Sequence, residues 1–479
     1  MITALKKPLL WIVLYLLFHV LIRLLFSTTL QVDDAEQIRH AQHLFLGHPI
    51  PQPPLYSWLS WGLFKIFGTG LFALTLLKYI LIALTFWLTW LVSGQLFQHL
   101  QTRYIATFSY LLMPSFAWHM HQGFTHTILL GLGIILTLHA LLSLKENNSI
   151  GHYLYFGLAL GIGLMSKYSF LLFMIPLFVS AISVSSFRSL IVNQKIFLAI
   201  VVFILMIGPH IYWLIQHYQE IFSSIDQKLK VTSDNLLLDR IKSAGQFTGA
   251  AITFVIPFSL IFFINSWKKL FNTDNQTSKG DNALLLNRFY LIVIICVLLL
   301  AIFVSMPHFK VRWFHPLMMI FPLWMLVRIE RKELLSKSII RWFAGITIIF
   351  TILIFSIRIT QVTIGPELGN YGRLNRPVVE TLNKLPNHLI KNSVIKTQDE
   401  FLGAHLLSIY QNNNIIINGV FYQNSVTLDN DKCLLLWDDD ENFSKPSAMK
   451  NLESGELITM TENKKYTLFY VVSPKQECN

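Results

Sequence analysis

Two adjacent carboxylates, Asp33 and Asp34, stand with Ala35 and Glu36 directly after a long apolar run that closes near Phe26. A carboxylate pair suits general base work, in which one oxygen takes a proton from an acceptor hydroxyl or amine. It also suits a helix start. Asp33 with Glu36, and Asp34 with Gln37, both have the spacing of a capping box, where the first side chain accepts a backbone N–H and the residue three positions on answers it. One acid satisfies the cap. The second, at the mouth of an apolar bundle, is left for chemistry, so the residues alone support both readings.

Further on comes Pro51-Gln52-Pro53-Pro54-Leu55-Tyr56, a stiff turn that folds the chain back. A plain helix entry explains the prolines but leaves Gln52 and Tyr56 to face the same space as the acids. Lys167, in Met165-Ser166-Lys167-Tyr168, is a lone cation in a tight turn between two apolar runs. It reads as an anion ligand or as a snorkelling lysine. Lys310 and Arg312, in His308-Phe309-Lys310-Val311-Arg312-Trp313, form a basic cluster on the side where cations are scarce. A phosphate accounts for it, since Arg offers a bidentate fork and Lys a point charge; lipid headgroups are the alternative. Tyr15, His19 and Arg23 share one face of the first apolar run, where ionisable groups usually face protein or a cavity. His119, His121 and His126 crowd one short loop, but no carboxylate or cysteine nearby completes a metal set.

The elements that must position these residues are mostly membrane helices. Of 479 residues, 53% are hydrophobic and 13% charged, against roughly 25% charged in a soluble domain. Apolar blocks of about 18–25 residues match the length that carries a helix across a bilayer. We read about eleven spans, at roughly 8–28, 71–94, 104–121, 124–143, 152–166, 169–185, 196–217, 247–266, 289–305, 313–328 and 341–361. No cleavage site follows the first block, so it is expected to stay as an uncleaved span. With the N-terminus in the cytoplasm, Arg103, Lys145, Arg188, Lys268, Arg288, Arg328 and Arg341 all fall on the cytoplasmic side. The acids, Lys167, the Lys310–Arg312 cluster and the C-terminal region then share the outer face. The net charge of +12 is topological, and no basic domain with interleaved aromatics points to nucleic acid.

The first external loop holds two helical pieces, Asp33–Leu46 and Pro54–Phe67, expected along the membrane surface. After the membrane part, residues 1–361, the pattern changes to short apolar runs and polar turns, so residues 362–479 form a small α/β soluble domain. Its expected strands are Ser393–Thr397, Asn414–Phe421, Cys433–Trp437, Leu457–Thr461 and Tyr466–Val472, with helices near Pro377–Leu385 and Glu400–Tyr410. It carries no phosphate loop or metal-spaced set, so its expected part is to position an acceptor or cover the membrane region. Of the three cysteines only Cys433 and Cys478 could pair.

In combination these residues resemble the bacterial branch of glycosyltransferase family 39, the GT-C group that includes protein O-mannosyltransferases and lipid A aminoarabinose transferases. The resemblance rests on Asp33-Asp34-Ala35, Pro53-Pro54-Leu55 with Trp58, and Gly163-Leu164-Met165-Ser166-Lys167-Tyr168. It extends to Ile215-Gln216-His217 and to Arg312-Trp313 with Pro316. It implies a multi-pass enzyme of the bacterial inner membrane that moves a sugar from a polyprenyl-phosphate donor to an envelope lipid, glycan or protein, with inversion and no nucleotide sugar. By that resemblance Asp33 is the base and Asp34 supports it, while Lys167, Arg312 and Lys310 hold the donor phosphate. No cofactor is required. Two departures bear on this: Gln52 stands where many members have lysine, and His126 where many have an acid, which puts a metal-assisted variant in doubt. Glu36, Gln52, Tyr56 and His126 are then acceptor-side or supporting residues. A lipid transporter would show internal repeats and broken helices near the midplane, and neither is visible. A non-catalytic assembly factor leaves the external acids and cations unexplained.

Overall fold

The computed structural model describes residues 8–48, 52–219, 236–271, 280–303, 311–367, 374–391, 393–422, 432–438, 453–461, 464–474 and 478. The helices are α1 (Pro8–Phe26), α2 (Val32–His40), α3 (Leu55–Phe67), α4 (Leu71–Leu96), α5 (Leu100–Phe108), α6 (Pro114–Ala117), α7 (His126–Glu146), α8 (Ile150–Ser166), α9 (Leu171–Ser183), α10 (Ser185–Ile191) and α11 (Ile196–Gln216). They continue with α12 (Leu236–Phe271), α13 (Asp281–Phe303), α14 (His315–Met318), α15 (Phe321–Arg331), α16 (Lys337–Glu367), α17 (Val378–Leu382), α18 (Asn387–Ile390) and α19 (Glu400–Ile409).

Among the described residues, six helices are long and apolar enough to cross a bilayer: α1, α4, α7, α11, α13 and α16. A bent pair running from Tyr168 through α10, folded by 112° at Val184, meets the same test as one broken span. Over the described residues the runs expected to span are largely helical, but besides the bend at Val184 two are interrupted within. Residues 104–121 break at Met113-Pro114 into α5, a 3₁₀ turn, α6 and a second 3₁₀ turn, because proline cannot continue the hydrogen-bond ladder. Residues 313–328 break likewise, with Pro316 and Pro322 each in the first turn of a new helix.

The chain forms two compact units. The first comprises Ile80–Ile354, Leu46–Tyr56 and the segment ending at Tyr15. At its centre α7, α8 and α11 pack through small residues, as membrane helices do when backbones approach closely. A Cβ on Gly133 of α7 would lie 2.7 Å from Gly163 Cα of α8, and one on Gly157 would strike the Ala199 carbonyl of α11. Polar ties hold other helices of this unit: Lys145 to Asp281 at 3.3 Å, and Glu330 to His99 N at 2.9 Å and Thr102 Oγ1 at 3.0 Å.

The second unit comprises Leu16–Phe45, Ser57–Tyr79 and Phe355–Asn479. Its sheet has strands β1 (Ser393–Thr397), β2 (Ile415–Ile417), β3 (Val420–Tyr422), β4 (Lys432–Asp438), β5 (Glu453–Thr461) and β6 (Lys464–Pro474), in the order β3-β2-β1-β4-β6-β5. β1 is parallel to β2 and β4, and the outer pairs are antiparallel. α19 is the crossover between β1 and β2, N-capped by Asp399, which accepts from Phe401 N and Leu402 N. Cys433 and Cys478 are joined in a disulfide. The single strand expected over 414–421 is instead a hairpin, turning at Asn418 (φ 48°) and Gly419 (φ 79°), the Asn-Gly turn that matches strand twist.

One apolar core runs through this unit. Leu402, Leu406, Ile395 and Leu434 of the sheet layer pack with Ala35, Ile38 and Ala41 from α2. The few apolar residues of α2 recur at intervals of three and pack against the sheet layer.

Candidate active site

At 100° per residue, the helical rotation of α2 separates the two acids. Ala35, Ile38, Asp34, Gln37 and Ala41 form the buried arc, while Asp33, Glu36, Arg39 and His40 form a less buried one. Asp34 is 2% exposed and lies 3.4 Å from both Arg23 and Lys78, which are each 5% exposed. Burial alone raises its pKa; Lys78, Arg23 and the Gln31 N–H outweigh that and hold the carboxyl below the usual carboxylate range. Asp33 sits within the field of Lys78 and is less buried than Asp34. Glu36 turns to His40, 3.8 Å away.

Neither of the anticipated capping boxes forms. Asp34 occupies the third helical position, and its Oδ2 accepts from the backbone N–H of the N-cap residue Gln31 at 3.3 Å. The cap uses the buried acid, Asp34. Gln37 instead accepts from Ser57 Oγ of α3 at 2.8 Å.

Residues 27–31, the strap between α1 and α2, are pinned from two directions. Arg23 at the end of α1 donates to Ser27 O at 3.0 Å and Thr29 O at 2.7 Å, satisfying carbonyls just past the helix terminus. From the other direction Ser27 Oγ donates to Leu374 O at 2.7 Å, Thr29 Oγ1 to Arg376 O at 2.6 Å, and Leu30 N to His405 Nε2 at 3.1 Å. Arg39 on α2 meets Glu400 of α19 at 2.7 Å.

The first unit carries a second polar group. The close packing of α7 on α8 sets the N-terminus of one beside the C-terminus of the other. Lys167 Nζ donates to Thr127 Oγ1 at 3.0 Å, and His126 Nδ1 lies 3.3 Å from Ser166 O. The Tyr56 ring is 5.6 Å from that of His126, and Tyr56 is fully buried. Lys167 and His48 are neighbours of His126. The chain before His48 is fixed to α11, where His210 Nδ1 donates to Leu46 O at 2.7 Å and His210 Nε2 accepts from Tyr168 Oη at 2.6 Å. Gln52 is half-buried in the same unit.

His119, His121 and His126 do not converge. His121 Nε2 pairs with Tyr15 Oη at 2.7 Å, His119 stacks on Phe124, and His126 faces Ser166. Among the described residues no three His, Cys, Asp or Glu side chains gather to hold a metal. Lys310 lies outside the described residues, as does the Arg312 side chain, whose backbone opens the 3₁₀ turn Val311–Phe314.

Three residues escaped the sequence reading. Lys78 and Arg358 are buried cations inside otherwise apolar helices, and the rule that intramembrane charge marks function flags both. His405 belongs to no motif; only the tertiary fold brings it to Leu30.

Residues 51–213 match a family profile described as dolichyl-phosphate-mannose-protein mannosyltransferase. The chain is 26% identical, over 82% of its length and 79% of the relative's, to the lipopolysaccharide core galacturonosyltransferase RgtB of Rhizobium johnstonii. To RgtA of the same organism it is 22% identical, over 82% of this chain and 78% of that one. Its fold is similar to that of ArnT from Cupriavidus metallidurans, solved with undecaprenyl phosphate. That likeness has a TM-score of 0.59 at 11% identity and covers 96% of this chain and 98% of ArnT. Profile and relatives agree on a glycosyltransferase, and the multi-pass fold is similar to that of ArnT.

Proposed function

We propose that the chain transfers a sugar from a polyprenyl-phosphate donor to an envelope acceptor at the extra-cytoplasmic face of the bacterial inner membrane, with inversion. The observation that carries this reading is the placement of the two acids on α2, where Asp34 is buried between Arg23 and Lys78 while Asp33 lies on the less buried arc of the helix. In the step, Asp33 takes the proton of an acceptor hydroxyl or amine as its oxygen or nitrogen attacks the anomeric carbon. The bond from that carbon to the phosphate oxygen breaks, and the polyprenyl phosphate leaves with the electron pair. A single displacement inverts the centre.

Lys167, with Lys310 and Arg312, is assigned to the phosphate on which negative charge grows. Glu36, Gln52, Tyr56 and His126 are assigned to acceptor contact or support, and no metal is required. The curated relatives act on lipopolysaccharide core with galacturonic acid, which makes that sugar and acceptor the first pair to test. Deleting the gene and comparing envelope lipids and glycans by mass spectrometry should reveal one missing glycosyl mass, restored by the wild-type chain and not by Asp33→Asn. An unchanged envelope profile in the deletion strain would overturn the reading.

A further inference from the structure

We propose that His405 is a positioning residue for the reaction, through which the sheet domain holds the acid-bearing loop in register. The inference rests on the assignment of Asp33 as base. Leu30 lies three positions before Asp33, and its N–H is held by His405 Nε2 at 3.1 Å. His405 is fully buried, and its Nδ1–H donates to Phe401 O at 2.9 Å. One neutral tautomer thus satisfies both bonds, with Nδ1 as donor and Nε2 as acceptor.

The bond stands among others with the same effect. Ser27 and Thr29 donate to the carbonyls of Leu374 and Arg376, Arg39 pairs with Glu400, and Ala35 and Ile38 share the sheet domain's core. The strap has no regular secondary structure of its own, so its conformation is set by these bonds. The start of α2, and with it the direction of the Asp33 side chain, follows from where the strap ends. Arg23 and Lys78 fix the Asp34 end of this arrangement, and His405 fixes the other.

The test uses the full chain in three variants, with Asp33→Asn in parallel. His405→Leu removes the acceptor; His405→Gln keeps a carbonyl oxygen that can reach the Leu30 N–H. In the deletion strain, at matched protein amounts, His405→Leu should lower the restored glycosyl mass about tenfold or more, and His405→Gln should restore most of it. In purified protein, hydrogen exchange at residues 27–31 should rise in His405→Leu while β4 and β6 stay protected.

Unchanged exchange at 27–31, or full restoration by His405→Leu, overturns the positioning role, as does an equal loss from His405→Gln. If His405→Leu fails to accumulate, the double variant Ser27→Ala with Thr29→Val loosens the strap without touching the sheet core. Full product from that variant overturns the inference. Activity retained by Asp33→Asn sinks the base assignment instead, whatever the exchange data show.

Discussion

Lys78 Nζ lies 3.4 Å from Asp34 Oδ1, with both side chains almost wholly buried. With Arg23 on the second carboxylate oxygen, the result is one buried anion held between two buried cations. Such groups are costly to desolvate and stable only as a set. Asp34 is committed to that set, while Asp33, on the less buried arc of α2, also acts on Lys78 through its charge.

The two acids should therefore fail differently when neutralised. Asp33→Asn should lower turnover by about 10²–10⁴ and leave stability within about 0.5 kcal/mol. Asp34→Asn leaves Arg23 and Lys78 without their anion and should cost about 3–5 kcal/mol. Thermal melting in detergent beside turnover separates the two. Equal melting temperatures for both variants would count against Asp34 as the structural acid.

Much of this was legible in the sequence, and the exceptions have physical causes. β1 falls where expected because its apolar residues lie between clear turn signals. The hairpin at Asn418-Gly419 was missed because the apolar run on each side reads as continuous, although the Asn-Gly pair itself signals a turn. The acid pair was visible, but which acid is buried depends on the phase of α2 against α19, which no local pattern encodes. Lys78 was findable as a charge in an apolar helix. His405 was not, since its partner Leu30 lies 375 positions away in sequence.

Acid should loosen the sheet unit through His405. Burial pushes its pKa down to about 4, below the ordinary value of about 6.5. Between those values the unfolded chain binds a proton that the folded one does not. Stability is then full above about pH 6.5 and falls as pH drops toward 4, by up to about 1.4 kcal/mol per unit. Asp34, held low, adds its loss only at more acidic pH, as pH falls through its folded value. A melting curve against pH should show this slope in the wild type and lose it in His405→Gln. Persistence of the slope in that variant would assign it elsewhere.

Chelation should leave transfer unchanged. Asp33 acts electrostatically on the buried cation Lys78, and no metal-ligating trio gathers among the described residues. Activity after EDTA treatment, compared with activity after added Mg²⁺ or Mn²⁺, checks this. A loss on chelation that a divalent ion restores would require a bound metal.

Lys167→Met should weaken use of the lipid-phosphate donor. A charge-assisted hydrogen bond is worth about 1.5–3 kcal/mol, so kcat/KM for the donor should fall about 10- to 100-fold. Saturating acceptor should not recover it. Arg should restore part of the loss, because it keeps the charge with a different reach. A fall confined to acceptor KM would move Lys167 to the acceptor side.

Helix packing should matter to the same cationic group. Gly133 of α7 faces Gly163 of α8, and a Cβ at Gly133 would stand 2.7 Å from the Gly163 Cα. Backbone, not a flexible side chain, is the obstacle, so Gly133→Ala must push the helices apart. Overpacking of this kind costs about 1–3 kcal/mol. Because α7 begins at His126-Thr127 and α8 ends at Ser166-Lys167, the same displacement stretches the Lys167–Thr127 and His126–Ser166 contacts. Gly133→Ala should thus lower both the melting temperature and kcat/KM for the donor. Gly345→Ala, on α16 with nothing within 4 Å of the added Cβ, is the matched control and should do neither. A Gly133→Ala enzyme with normal stability and normal donor use would show that the α7–α8 approach does not set the Lys167 site.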